Sequence, residues 1–207
     1  MQLPQKQLEK AAEVLKNGGL VAFPTDTLYA LGAHAFLDDS VQKVYEAKGR
    51  PTQMALPLLV SSIKDISRVA RDIPPEAWAL ADKFYPGSLT LVLRKADIIP
   101  KSVTAGRDTI AVRIPNHPIA LALIKATDAP VIGTSANRSG KQSPANAEEV
   151  RSQLGTSLDM ILDGGACPLG QQSTIVDLSQ DRPVILREGA IPLSVLAEIC
   201  TDIRLSQ

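Results

Sequence analysis

The sequence predicts an α/β fold, with strands and helices interleaved through a single domain over 1–207. Two observations carry that prediction. Short apolar runs rich in β-branched residues alternate along the chain with segments of helical period. No internal repeat, low-complexity tract or linker-like stretch breaks the alternation. Taken strictly, the pattern fits an α/β or an α+β domain with a largely covered sheet.

Leu8, Ala11, Ala12 and Leu15 recur at helical spacing, and Gly18-Gly19 supplies a stop. Leu20 to Phe23 then reads as a short buried strand, ended by Pro24 and followed by the loop Thr25-Asp-Thr27. A helix is predicted from about Ser40 to Ala47, delivering Lys48-Gly-Arg50-Pro51 at its end. Residues 55–60 are apolar and strand-like, and residues 63–69 and 75–84 are helical. Residues 88–94 and 109–114 read as strands. Residues 118–127 form a helix with proline at its start. Residues 130–133 form a strand that runs straight into Thr134-Ser-Ala-Asn137. A helix over 146–154, strands over 160–163, 173–178 and 184–187, and a last helix over 192–200 complete the series.

The composition narrows the function classes. At 207 residues, 44% hydrophobic and 21% charged, the chain can bury a substantial core without disulfide or metal staples. Only 3% of residues are aromatic, so the core is aliphatic and base-stacking platforms for single-stranded nucleic acid do not dominate. Lys+Arg and Asp+Glu both number 22, so no global field draws the chain to nucleic acid or to membranes. An anion site must therefore come from local placement of charge. Cys167 and Cys200 lack metal-ligand spacing and read as two buried thiols. The N-terminal stretch MQLPQKQLEKAAEVL carries charge where a signal peptide needs an apolar core, and no apolar run reaches the roughly 20 residues of a membrane span. A cytoplasmic location is expected.

Four polar segments follow predicted strands or a helix end: Pro24-Thr-Asp-Thr27, Lys48-Gly-Arg50, Thr134-Ser-Ala-Asn137 and Gly170-Gln-Gln-Ser-Thr174. Open α/β sheets place ligands at such points. Lys48 and Arg50 can grip phosphate or carboxylate, or can simply complement a helix dipole. Ser135 and Asn137 can hold phosphate oxygens or a ribose, or can form a cap or Asx turn. Asp26 can act as a base or a metal ligand, though as a bare residue it reads first as a turn former, and His117, at a predicted helix start, reads as structural. No P-loop, GxGxxG or GxSxG is present, and His34 and His117 lack partners at metal spacing, so no protein metal site is expected.

Taken in order, the blocks VAFPTDTLYALGAHA, VYEAKGRP, FYPGSLTLVL, DTIAVRIPNHP, GTSANRSGKQSP, ILDGG, STIVDL and VILREGAIP resemble the YrdC/TsaC-like family of threonylcarbamoyl-AMP synthases, from about Gly18 to Pro192. The resemblance implies a twisted mixed sheet with flanking helices around a concave cationic cleft. It implies an enzyme that makes threonylcarbamoyl-AMP and pyrophosphate from L-threonine, bicarbonate and ATP. Lys48 and Arg50 are the catalytic pair it implies. ATP would be held by Lys48, Arg50, Thr109, Ser135, Asn137, Ser143 and Arg187, with Mg²⁺ arriving on the nucleotide. Threonine would meet Thr27, Arg113, the backbone at Gly133, and Ser173. The implied downstream partner is a transferase that modifies tRNA beside the anticodon, with weak tRNA binding as a further expectation.

The chain departs from the family pattern at four positions. Asp26 stands where the family has Glu, Ala30 follows Tyr29 where it has Gly, Met54 stands for an Asn at the nucleotide, and Leu59 for a His near threonine. Two other readings use the same residues. One is a non-catalytic RNA-binding module. The other is a YciO-like or carbamoyl-transfer paralogue with a different acceptor. The family's longer members carry a second C-terminal domain, and this chain resembles the short form.

Overall fold

The computed structural model describes residues 4–206. Its first helix, α1 (Gln5–Lys16), buries Ala11, Ala12 and Leu15, and Asn17 closes it. Gly18 follows at φ 81°, a left-handed conformation that glycine adopts without a Cβ penalty. Strand β1 (Val21–Phe23) is fully buried. Strand β2 (Ala30–His34) is not foreseen by the sequence pattern. Its Ala-Leu-Gly-Ala-His run has little strand propensity, but it is paired on both sides and tertiary placement prevails.

Helix α2 (Asp38–Lys48) ends on Gly49 at φ 59°. The apolar run at 55–60 contributes only the two-residue strand β3 (Leu58–Leu59), because Pro57 has no N–H for a ladder. The helix predicted over 63–69 is two short pieces, a 3₁₀ turn (Ile63–Asp65) and α3 (Ile66–Val69). Strand β4 (Ala70–Arg71), helix α4 (Pro75–Phe84), strand β5 (Leu89–Lys95), helix α5 (Lys101–Thr104) and strand β6 (Thr109–Arg113) follow. Helix α6 (Pro118–Thr127) is capped by His117, whose Nδ1 accepts from the Ile119 N–H at 3.3 Å, so that histidine is structural. Strand β7 (Val131–Ser135) runs two residues further than predicted and carries Thr134 and Ser135 inside the sheet. Helix α7 (Ala147–Leu154) and strands β8 (Met160–Ile161), β9 (Thr174–Asp177) and β10 (Val184–Arg187) come next. The last helix, α8 (Leu193–Leu196), is a single turn rather than the longer helix predicted, and β11 (Arg204–Leu205) ends the described chain.

The eleven strands form one mixed sheet in the order β11-β10-β9-β5-β6-β3-β7-β2-β1-β8, with β4 beside β5. One face of this sheet is covered along its length. Leu31, Leu58, Leu91, Val112, Ile132 and Val176 point there and meet buried residues of α2, α4 and α7. The opposite face is covered only in part. Helices α1 and α6 pack on β1, β2, β3 and β7 through Leu15, Ile119, Leu123, Phe23, Leu59 and Val131. Beyond that cover, over β5, β6 and β9, the same face is lined by Thr90, Ala111, Arg113 and Ile175 and opens into a cavity. Period-two alternation therefore sorts each strand into a core side and a cavity side. Both cysteines are free and buried.

Candidate active site

The cavity measures about 270 Å³, and no helical residue lines it. Its walls come from strand faces and from three connections: the loop after β1, the segment after α2, and the loop before β9. Thr27, Arg50, Arg113, Gly133, Ser135, Ser173 and Arg187, seven of the sequence-nominated residues, line it together. The chain thus brings side chains far apart in sequence to one surface.

Each cavity arginine is held by protein acceptors. Arg50 donates from Nε to the Met54 carbonyl at 3.3 Å and from Nη2 to the Ala55 carbonyl at 2.9 Å. Arg187 donates from Nε to the Ser173 carbonyl at 3.0 Å and from Nη2 to Ser173 Oγ at 3.2 Å. Arg113 spends three donors: Nε on the Gly87 carbonyl at 2.9 Å, Nη1 on Thr27 Oγ1 at 2.7 Å and Nη2 on Asp26 Oδ1 at 2.6 Å. A guanidinium carries five N–H groups. Arg50 and Arg187 each keep three, and Arg113 keeps two, in fixed directions. Burial lowers the pKa of all three, most directly through lost hydration. They stay charged, so the cavity holds cations that an incoming anion would stabilise.

Asp26 is not a free turn residue. Its Oδ1 accepts from Arg113 and from the Asn116 N–H at 2.9 Å, in an ion pair whose side chains are 8% and 9% exposed. A charge in that position must be paired, because desolvating it alone costs several kcal/mol.

Four nominated residues lie off the lining. Lys48 is buried behind it. Its Nζ donates to the Ser135 carbonyl and, at 2.8 Å, to the Asn137 carbonyl. The ammonium therefore clamps the backbone that carries Ser135 rather than facing the cavity. Asn137 is also buried, with Nδ2 bonded to the Arg138 and Lys141 carbonyls at 2.9 and 2.7 Å and Oδ1 without a partner. Thr109 stands on the cavity side of β6, two residues outward from Ala111. Ser143 is half-buried in the loop before α7.

Lys48 makes a pH prediction. Burial, and then the neighbouring Arg50, push its pKa from 10.5 down to about 8. Between those values the unfolded chain binds more protons than the fold does, so this residue makes stability rise with pH from about 8 to about 10.5. The full rise is on the order of 3 kcal/mol. Urea midpoints for the wild type and Lys48→Met at pH 7.5 and 9.5 test it. The wild type should gain stability relative to the variant, and parallel behaviour would refute the linkage.

The family departures fall at different depths. Leu59 lines the cavity and packs against Gly133, where an added Cβ would lie 2.2 Å from Leu59 Cγ. That glycine is required by close approach. Met54 is 46% exposed and outside the lining, and it contributes its carbonyl to Arg50 and to Tyr45. Pattern reading missed Thr90, Ala111 and Ile175, which line the floor. The alternation Leu89-Thr-Leu-Val-Leu93 was a signal for Thr90, because it sets that side chain opposite the core.

Comparison with known proteins follows the same lines. The Sua5_yciO_yrdC family model, described as telomere recombination, matches residues 13–189. A Pyrococcus abyssi protein named threonylcarbamoyl-AMP synthase is 43% identical over 195 residues, covering 94% of this chain and 57% of that relative. A Bacillus subtilis protein of the same name is 44% identical over 186 residues, covering 89% of this chain and 54% of its own length. This chain therefore spans about half the length of these curated relatives. The crystal structure of P. abyssi Sua5 complexed with L-threonine superimposes with a TM-score of 0.97 at 41% identity, over 100% of this chain and 61% of that one. With a family match that runs from within α1 to just beyond β10, the chain belongs to the Sua5/yciO/yrdC family.

Proposed function

We propose that this domain forms threonylcarbamoyl-AMP and pyrophosphate from L-threonine, bicarbonate or CO2, and ATP. The observation that carries the reading is the convergence of Arg50, Arg113 and Arg187 with Thr27, Ser135 and Ser173 on one cavity, in a fold that superimposes on a relative bound to L-threonine. The substrates are anions that must approach one another, and a cavity with fixed, partly desolvated cations meets that requirement.

The amine of threonine and bicarbonate give a carbamate and water. A carbamate oxygen then attacks the α-phosphorus of ATP. One O–P bond forms, the bond to the β-phosphate oxygen breaks, and pyrophosphate leaves with the electron pair. Arg50 and Arg187 would neutralise charge on the reacting phosphates, and Arg113 would orient the amino acid. Lys48 would act from behind by fixing the Ser135 backbone. A nucleotide would extend past Ala111 toward Thr109 and be held further by Ser143, while Asn137, with its Oδ1 buried, would fix the turn that follows Ser135. The cavity falls below the roughly 300–1,000 Å³ of sites that enclose drug-sized ligands, so it takes the amino acid and the reacting phosphate and leaves the nucleoside at its mouth. Mg²⁺ would enter as part of the ATP substrate. Among the described residues no cluster of three or more His, Cys, Asp or Glu side chains is placed to hold a metal of its own.

No helix among the described residues is long and apolar enough to cross a membrane. The product, a mixed carbamic–phosphoric anhydride, would pass to a tRNA-modifying transferase. Mass spectrometry of reactions containing MgATP, bicarbonate and one amino acid at a time tests the proposal. Threonine should give threonylcarbamoyl-AMP with stoichiometric pyrophosphate. Product with another amino acid instead would move the reading to a paralogue with a different acceptor. A salt-sensitive tRNA shift without ATP consumption would move it to an RNA-binding module.

A further inference from the structure

The hydroxyl protons around the cavity can be counted, and the count shows where a donor is left over. Thr25 Oγ1 donates to the Leu28 carbonyl at 2.7 Å, so its only proton is spent. Thr25 Oγ1 also accepts from the Thr27 and Leu28 N–H groups at 3.1 and 3.2 Å, so both of its lone pairs are engaged, and Thr27 Oγ1 lies 2.9 Å from it. Thr27 Oγ1 accepts from Arg113 at 2.7 Å. With Thr25 saturated, Thr27 keeps its own proton and a lone pair for the cavity. That part of the lining can donate and accept, which suits a hydroxyl.

The lining at Thr90 and Ser173 leaves a hydroxyl donor. Thr90 and Ser173 are 4% and 6% exposed, and both line the cavity. Their oxygens lie 2.8 Å apart, and either can donate. Ser173 Oγ also receives an N–H from Arg187 at 3.2 Å. The two hydroxyls own two protons, and one lies between them. Among the described residues neither oxygen has another acceptor, so one O–H remains. Whichever hydroxyl carries it, only the cavity is left for it to face. Arg187, which holds Ser173, and Arg113, one step along the β5–β6 ladder from the Leu91–Val112 pair, share this lining, and among the described residues no carboxylate lines the cavity. The leftover hydroxyl donor and the guanidinium N–H groups suit a carboxylate.

We propose that Thr90 is a specificity and positioning residue, which pairs with Ser173 to commit one hydroxyl donor, on the lining shared with Arg113 and Arg187, to the carboxylate of the amino-acid substrate. The inference rests on the function proposed above and adds the residue and the polarity of the subsite. Without the Thr90 oxygen, the Ser173 proton is free to rotate away and the second hydroxyl is gone.

Thr90→Val keeps the side-chain shape and its strand preference while removing the hydroxyl, and Thr90→Ser keeps the hydroxyl. Calorimetric binding of L-threonine and of L-threoninamide, which lacks the carboxylate charge, separates the roles. A hydrogen bond to a charged group corresponds to at least about a tenfold change in affinity. Thr90→Val should weaken L-threonine about tenfold or more, weaken L-threoninamide less than about threefold, and raise the KM for threonine with kcat nearly unchanged. Thr90→Ser should bind both ligands as the wild type does. Wild-type affinity for threonine in Thr90→Val, or equal loss for both ligands, overturns the assignment. Wild-type protein that binds no threonine overturns the functional reading itself, and the assignment with it.

Discussion

Replacing Arg50 with alanine is expected to lower threonine- and bicarbonate-dependent pyrophosphate release by about 10²–10³-fold, the loss typical of removing one preorganised donor from a developing charge. Arg50 is, with Arg187, one of the two cavity cations most free to meet substrate charge. Two of its N–H groups are held by the Met54 and Ala55 carbonyls, so the remaining three keep their direction without substrate. Among the described residues no carboxylate is paired with it, whereas Arg113 shares its charge with Asp26. Stability should change little, because the side chain is only half-buried and the two carbonyls it releases lie in an exposed segment. Arg50→Lys should recover only part of the rate, since an ammonium offers a point charge in place of a planar fork. Pyrophosphate release near the wild-type rate in Arg50→Ala, with the fold intact, would remove this residue from the chemistry.

The contrast between Arg50 and Lys48 shows where sequence reading reaches its limit. A cation, a glycine and a second cation at a helix end look equivalent on paper. In the fold they diverge, because Gly49 takes φ 59° and turns the chain after α2. Lys48 stays on the buried side of the helix and clamps backbone, while Arg50 reaches the cavity. Spacing could not separate them, since the separation depends on one left-handed residue and on β7 arriving from elsewhere in the chain. Asp26 is a similar case. Locally it has the composition of a turn, and its partner Arg113 lies 87 positions away. By contrast, most helices and central strands were legible, because their burial follows a regular period. The elements that were not, β2 with its small residues, the single-turn helix α5 and the two-residue strands β4 and β11, take their state from neighbours rather than from their own side chains. The site residues became legible only as ordered blocks. Thr90 stayed hidden inside one of those blocks, although alternation already set it opposite the core.

The largest effect on stability is expected at Asp26. Asp26→Ala leaves the Arg113 guanidinium buried with no counter-charge and strips the Asn116 N–H of its acceptor. Breaking a buried ion pair from one side costs about 3–5 kcal/mol, more than most core truncations of a single methylene. For a domain of this size each kcal/mol moves the melting temperature by roughly 2–4 °C, so a fall of roughly 6–20 °C is expected. The cause is the orphaned charge, and a second variant isolates it. Asp26→Ala/Arg113→Met removes both partners and should regain part of the loss, because a buried pair exchanged for apolar side chains is often nearly neutral. It should also abolish amino-acid binding, since Arg113 is gone. Asp26→Asn keeps an acceptor for both donors and should fall between the wild type and Asp26→Ala. Denaturant unfolding of the four proteins decides the matter: equal stability for wild type and Asp26→Ala, or a double variant weaker than Asp26→Ala, would mean that the pair is not what holds Arg113 in place. If the order holds, Asp26 fixes a cation at the cavity floor that the fold alone could not keep buried, and the acidic residue in the loop after β1 serves orientation rather than proton transfer.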